Sequence, residues 1–142
     1  MIHKNFIVDT LIDYDALLSS LILLNRKKSI VFLKGELGSG KTTFIKRYME
    51  YNYNFKNVTS PTFGIINSYL NKNNTIYHYD LYRIENEREL DEFGFYENLD
   101  INTLHLIEWP EIIPDEIIVP NIIINFKLIN DKRLLSINYL DD

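Results

Sequence analysis

The stretch Gly35-Glu36-Leu37-Gly38-Ser39-Gly40-Lys41-Thr42 constrains this chain more than any other. It fits G-x-x-x-x-G-K-[ST], a loop whose backbone N–H groups wrap phosphates. Its flanks supply the context such a loop needs. Ser29 to Lys34 is a short apolar run of the kind found in strands covered on both faces. Phe44, Ile45, Tyr48 and Met49 then recur at helical spacing from Lys41 to about Tyr51. Strand, glycine turn and helix in this order aim the free amides and positive dipole end of the helix at a bound anion. The glycines let the backbone come close. Lys41 is expected to reach the outer phosphates of a nucleotide as a point charge, and the Thr42 hydroxyl to take one coordination position on Mg²⁺. The residues expected around the nucleotide are Glu36, Leu37, Gly38, Ser39, Gly40, Lys41, Thr42 and Thr43.

A length of 142 residues suits a single domain, 1–142, with an adequate core. Fifteen basic against twenty acidic residues give a formal charge of -5, which argues against a protein whose main task is gripping nucleic-acid backbone. Any RNA would be held with the help of a basic partner. The chain has no cysteine, so disulfides and thiolate metal sites are excluded. The start, Met1 to Asn5, lacks a signal-peptide pattern, and the most apolar stretch, Leu17 to Leu24, is too short to span a bilayer. A cytoplasmic protein without a membrane span is expected.

Before the glycine loop, Asn5 to Val8 reads as a short strand. Asp13 is a candidate cap for a helix whose Tyr14, Leu17, Leu18, Leu21 and Ile22 share one face. After the loop, Pro61 keeps Val58 to Thr62 extended, with hydroxyl groups presented. Phe63 to Leu70 and Thr75 to Asp80 read as a hairpin joined by an asparagine-rich loop. Glu85 to Phe93 has helical character with a solvated acidic face, and Leu104 to Glu108 is a buried-strand candidate stopped by Trp109-Pro110. Asn121 to Leu128 and then Leu135, Ile137 and Tyr139 alternate around a turn near Asn130-Asp131, which makes an antiparallel hairpin at a sheet edge.

A phosphate loop needs a carboxylate for Mg²⁺ or its waters, and that carboxylate usually ends an apolar strand beside the loop strand. Asp80 closes Ile76 to Tyr79, and Glu108 closes Leu104 to Ile107. Each has a plainer reading as a strand-end charge in water. His78 shares a strand face with Asp80 and is a candidate to orient it, although a lone His on an apolar strand is often only packed. No guanine-reading Asn-Lys-x-Asp motif is present, so adenine is the favoured base.

With these residues in view the chain resembles the TsaE family, the small P-loop ATPases of bacterial tRNA threonylcarbamoyladenosine synthesis. Four blocks carry the resemblance: Gly35 to Phe44, Ser60-Pro61-Thr62-Phe63, His78-Tyr79-Asp80-Leu81-Tyr82-Arg83, and Ile107-Glu108-Trp109-Pro110. Members usually have Asp and Ala where this chain has Glu36 and Ser39, changes that keep the loop's size. The resemblance implies an α/β fold of the P-loop NTPase type, a three-layer sandwich whose largely parallel central sheet has an antiparallel hairpin at the edge. It also implies ATP and Mg²⁺ as ligands and the TsaB and TsaD proteins as partners, with tRNA met only through that complex. Lys41, Thr42, Asp80, Glu108 and a phosphate-sensing Thr62 would carry the chemistry, either acid taking the metal. Tyr82, Arg83 and Trp109 would form a partner surface. No in-chain arginine finger can be identified, and such a group is worth about three to five powers of ten in rate, so hydrolysis by the isolated chain is expected to be slow.

Two other classes compete. A small-molecule or nucleotide kinase would share the loop but needs an acceptor pocket and usually a lid, and Phe63 to Glu108 contains no arginine-rich lid. A nucleotide-dependent binding module would hydrolyse ATP only incidentally. Phosphate release without an acceptor separates the first from an ATPase, and a Glu108→Ala protein that still supports many rounds of modification would favour the second.

Overall fold

The apolar run ahead of the glycine loop forms β2 (Ser29–Lys34), buried at every residue except Lys34. It pairs with a strand on each edge inside a seven-stranded sheet and is covered on both faces by helices. The computed structural model describes residues 2–24, 27–61, 64–72 and 74–140. The other elements are β1 (Ile2–Val8), α1 (Leu11–Ser19), α2 (Lys41–Tyr53), β3 (Ile66–Asn71), β4 (Asn74–Asp80), α3 (Arg88–Glu92), α4 (Phe95–Leu99), β5 (Leu104–Glu108), a 3-10 turn (Pro110–Ile112), β6 (Ile122–Ile129) and β7 (Lys132–Tyr139).

The strand order is β1-β7-β6-β2-β5-β4-β3. β2 pairs in parallel with β5 and β6, and β5 in parallel with β4. The outer pairs β3–β4, β6–β7 and β1–β7 are antiparallel. A parallel centre flanked by antiparallel hairpins is the expected architecture. β1 runs along the whole of β7, from Ile2 opposite Tyr139 to Val8 opposite Arg133, so the C-terminal hairpin lies one strand in from that edge.

Alternation along β2 divides the core into two layers. Val31 and Leu33 join Tyr14, Leu17, Phe44, Ile45, Met49, Leu106, Ile124 and Ile137 under α1 and α2. Ile30 and Phe32 join Tyr79, Leu90, Phe95, Ile107 and Ile113 under α3, α4 and the 3-10 turn. Burying each such side chain contributes about 1.5–3 kcal/mol. Phe44, in the first turn of α2, stacks on Tyr48 at 6.1 Å and meets the edge of Phe126 at 5.7 Å. It thereby ties the helix that follows the glycine loop to β6.

Three local readings need correction. Asp13 does not cap α1 as its first residue. Thr10 occupies the cap position, and Asp13 reaches back from the first turn to accept from the backbone N–H groups of Thr10 (2.9 Å) and Asp9 (2.8 Å). α1 also stops at Ser19, where the hydroxyls of Ser19 and Ser20 bond back to the carbonyls of Ala16 and Leu17, so Ile22 lies beyond the helix and is 63% exposed. The acidic helix is shorter than the expected Glu85 to Phe93, running only from Arg88 to Glu92, and after Gly94 at φ +72 a second short helix, α4, follows that periodicity did not reveal. Among the described residues no helix is long and apolar enough to cross a membrane.

Candidate functional site

The parallel strands β2, β5 and β4 end side by side, with Leu33 opposite Glu108 and Glu108 opposite Asp80. In open α/β sheets this carboxyl end is where ligands bind. A cleft of about 340 Å³ opens there, lined by Leu37, Gly38, Gly40, Lys41, Thr42, Thr43, Ser60, Asp80, Tyr82, Glu108, Trp109 and Arg133. The fold therefore brings the glycine loop and both candidate acids into one site, although Lys41 and Glu108 are far apart in sequence.

Lys41 begins α2, directly after Gly40 at φ +108. Only 4% exposed, its ammonium donates to the carbonyls of Gly35 (2.5 Å) and Glu36 (3.1 Å) and lies 4.0 Å from the centre of the Trp109 ring. Burial lowers its pKa, and the nearby Glu108, Glu111 and Asp80 oppose that shift. Phosphate oxygens, as charged acceptors, are stronger partners than these carbonyls and can exchange with them.

Thr42 is the hub of a buried polar chain. Its hydroxyl lies 3.0 and 3.2 Å from the two Glu108 oxygens and 3.2 Å from the Ser60 hydroxyl. Glu108 is 2% exposed, and its Oε2 also meets His78 Nε2 at 2.6 Å. His78 therefore orients Glu108, not Asp80 as the strand pattern suggested. His78 and Asp80 are two residues apart on β4, about 7 Å along a strand, whereas the longer Glu108 side chain bends back from the neighbouring strand to reach the ring. Asp80 is held more loosely. Its Oδ1 accepts the Tyr82 backbone N–H at 3.1 Å, and its pKa is raised chiefly by burial, with the Glu108 charge adding to the effect.

The expected partner residues divide. Tyr82, 55% exposed, meets Trp109 with ring centres 5.0 Å apart, and both line the cleft. Trp109 sits at φ +58, a left-handed conformation uncommon for a bulky residue, at the junction of β5 and the 3-10 turn. Arg83 is exposed and does not line the cleft. Glu36 contributes its carbonyl from an exposed position, while Ser39 is buried with its hydroxyl unpartnered. Thr62 lies outside the described residues; Ser60, from the same segment, is the hydroxyl placed beside Thr42.

Arg133 is the lining residue that sequence reasoning missed. A signal was available, because the inward alternation Tyr139, Ile137, Leu135 continues back to Arg133 and puts it on the same face at the loop end of β7. The donor set suits a hard cation. Thr42, Ser60, Glu108 and Asp80 offer oxygens, and no cluster of three or more His, Cys, Asp or Glu occurs among the described residues. That pattern fits Mg²⁺, which is usually bound through one or two carboxylates together with substrate phosphates.

The family model described as threonylcarbamoyl adenosine biosynthesis protein TsaE matches residues 9–135. A Rickettsia typhi relative named tRNA threonylcarbamoyladenosine biosynthesis protein TsaE is 43% identical over 122 residues, covering 82% of this chain and 84% of that protein. A Haemophilus influenzae relative of the same name is 36% identical over 122 residues, 82% of this chain and 75% of its own length. The crystal structure of Bacillus subtilis YdiB shares the fold with a TM-score of 0.71, 24% identity, and coverage of 99% of this chain and 87% of that one.

Proposed function

Because the chain belongs to the TsaE family of tRNA threonylcarbamoyladenosine biosynthesis proteins, we propose that it is the ATPase of that modification, working in the cytoplasm. In this reading it binds ATP with Mg²⁺ and acts with TsaB and TsaD to place threonylcarbamoyl on the adenosine beside the anticodon. It meets tRNA only through that complex. The observation that carries the reading is the convergence of Lys41 and Thr42 with Glu108 and Asp80 in one cleft at the carboxyl end of parallel strands.

Each group then has a task. The loop amides and Lys41 hold the phosphates, Lys41 exchanging its carbonyl partners for the outer phosphate oxygens. Thr42 and Glu108 would hold Mg²⁺, which when bound offsets charge on those oxygens. His78 keeps the Glu108 carboxylate aimed. Asp80, at the cleft wall and raised in pKa, is the acid left to orient the attacking water. Water adds to the terminal phosphorus, the bond to the bridging oxygen breaks, and ADP and phosphate leave.

Tyr82 and Trp109 wall the cleft and Arg83 follows Tyr82, so a change of nucleotide is positioned to alter the surface offered to partners. Tyr, Arg and Trp are also common interface anchors. The test is to mix the chain with TsaB and TsaD in the presence of ATP, ADP or neither, and to measure complex formation and modification of tRNA. ATP-dependent assembly that Lys41→Ala abolishes is expected; assembly and modification indifferent to nucleotide and to that substitution would refute the proposal. Unchanged association of both Arg83→Ala and Trp109→Ala proteins would move the partner surface elsewhere.

A further inference from the structure

The acids approach the glycine loop from one side of β2, through β5 and β4; Arg133 comes from the other, on β7 beyond β6. It stands opposite Val8 and Leu128 in the antiparallel register, and Val8 belongs to the core under α1 and α2, so Arg133 projects on the face that carries α2. The approach to the loop is close. A Cβ built on Gly40 would lie 2.7 Å from both Cδ and Nε of Arg133, so a larger residue there would push this side chain off the loop backbone. The Arg133 Nε is buried and has no hydrogen-bond partner. Burying an N–H donor without an acceptor is unfavourable, and at the rim of a phosphate loop the acceptor that would satisfy it is a phosphate oxygen.

We propose that Arg133 is a nucleotide-binding residue whose guanidinium holds the part common to ATP and ADP, the phosphates on the nucleoside side. The inference rests on the ATP-site reading given above. Thr42, Glu108 and Asp80 mark the end of the cleft where the metal and the terminal phosphate belong. Arg133 reaches the loop at Gly40 from across β2, which suits a clamp on the inner phosphates and not a finger on the terminal one. Charge balance agrees. Lys41 alone faces two carboxylates in the cleft, and a second cation lets an anionic ligand enter. The planar fork of an arginine can bridge two phosphate oxygens, which a lysine cannot do.

The experiment is calorimetric titration of ATP and ADP, each with Mg²⁺, into the wild-type chain and its Arg133→Gln and Arg133→Lys variants, with melting curves to establish that each is folded. Both variants are expected to weaken ATP and ADP by the same factor, roughly tenfold or more for Arg133→Gln and less for Arg133→Lys. The lysine variant keeps the stem and the charge, so it carries the test if the glutamine variant does not fold. Wild-type affinity in a folded variant would overturn the inference, and so would a loss confined to ATP, which would place the guanidinium on the terminal phosphate. A wild-type chain that binds neither nucleotide would instead refute the ATP-site reading, and this inference with it.

Discussion

The two sides of the glycine loop are built differently. On the β4–β5 side the polar groups hold one another: His78, Glu108 and Thr42 form a buried chain with contacts of 2.6 to 3.2 Å. On the β6–β7 side a single cation, Arg133, leans on Gly40 with its Nε unpartnered. Groups fixed in advance suit the place where charge develops during reaction, because they need no reorganisation when it does. A cation short of an acceptor suits the binding of groups that do not change. The contrast predicts that substitutions on the acid side act first on rate, and those on the hairpin side act on affinity.

The largest effect is expected at Glu108. Glu108→Ala removes the carboxylate proposed to hold the metal and strips Thr42 and His78 of their acceptor, so turnover in the presence of TsaB and TsaD should fall by about two to four powers of ten. Phosphate release measured at saturating ATP checks this; a change of less than a few-fold would dissolve the contrast. His78→Ala should act on the same quantity less strongly, by about ten- to a hundredfold, because it leaves Glu108 in place but unaimed. Nucleotide titration sharpens that result: ATP binding that is lost along with turnover would mean that His78 serves the binding side or the fold. On the other side, Gly40→Ala should weaken ATP and ADP together, since its methyl would displace the Arg133 stem and strain a residue at φ +108. Equal affinities in that variant would show that the loop tolerates what its geometry forbids.

The smallest effect concerns stability. Burial raises the Asp80 pKa, so the folded chain favours the protonated acid more than the unfolded chain does. Above the raised folded value the ionised carboxylate therefore costs stability, and that cost disappears as pH falls below the ordinary Asp range. Asp80→Asn should accordingly melt higher than wild type at neutral pH in the absence of nucleotide, with the gap closing in acid. A gap that widens in acid would reverse the sign assigned to the burial. Lys41, whose pKa burial lowers, carries a cost of the same kind, because its charged form is less favoured in the folded chain.

Much of this was legible in the sequence because the centre of the sheet is local in its logic. β2 and β5 are short, mainly apolar runs that end at glycine and at Trp109-Pro110, so their type and bounds could be read directly, as could the helix after the loop. What could not be read depends on pairing between distant strands. That His78 serves Glu108 follows from the register of β4 against β5, and that Arg133 reaches Gly40 follows from β7 lying two strands from β2. The helix α4 after Gly94 was hidden because five residues are too few to show a helical period. Asp13 misled because an acid in the first turn and an acid at the cap differ by only three positions.

The central claim is that the glycine loop is an ATP site, and titration of ATP with Mg²⁺ into the wild-type and Lys41→Ala chains tests it most directly. Saturable single-site binding by the wild type is expected, weakened about a hundredfold when the ammonium is removed. Equal binding by the two proteins, or no binding by either, would contradict it.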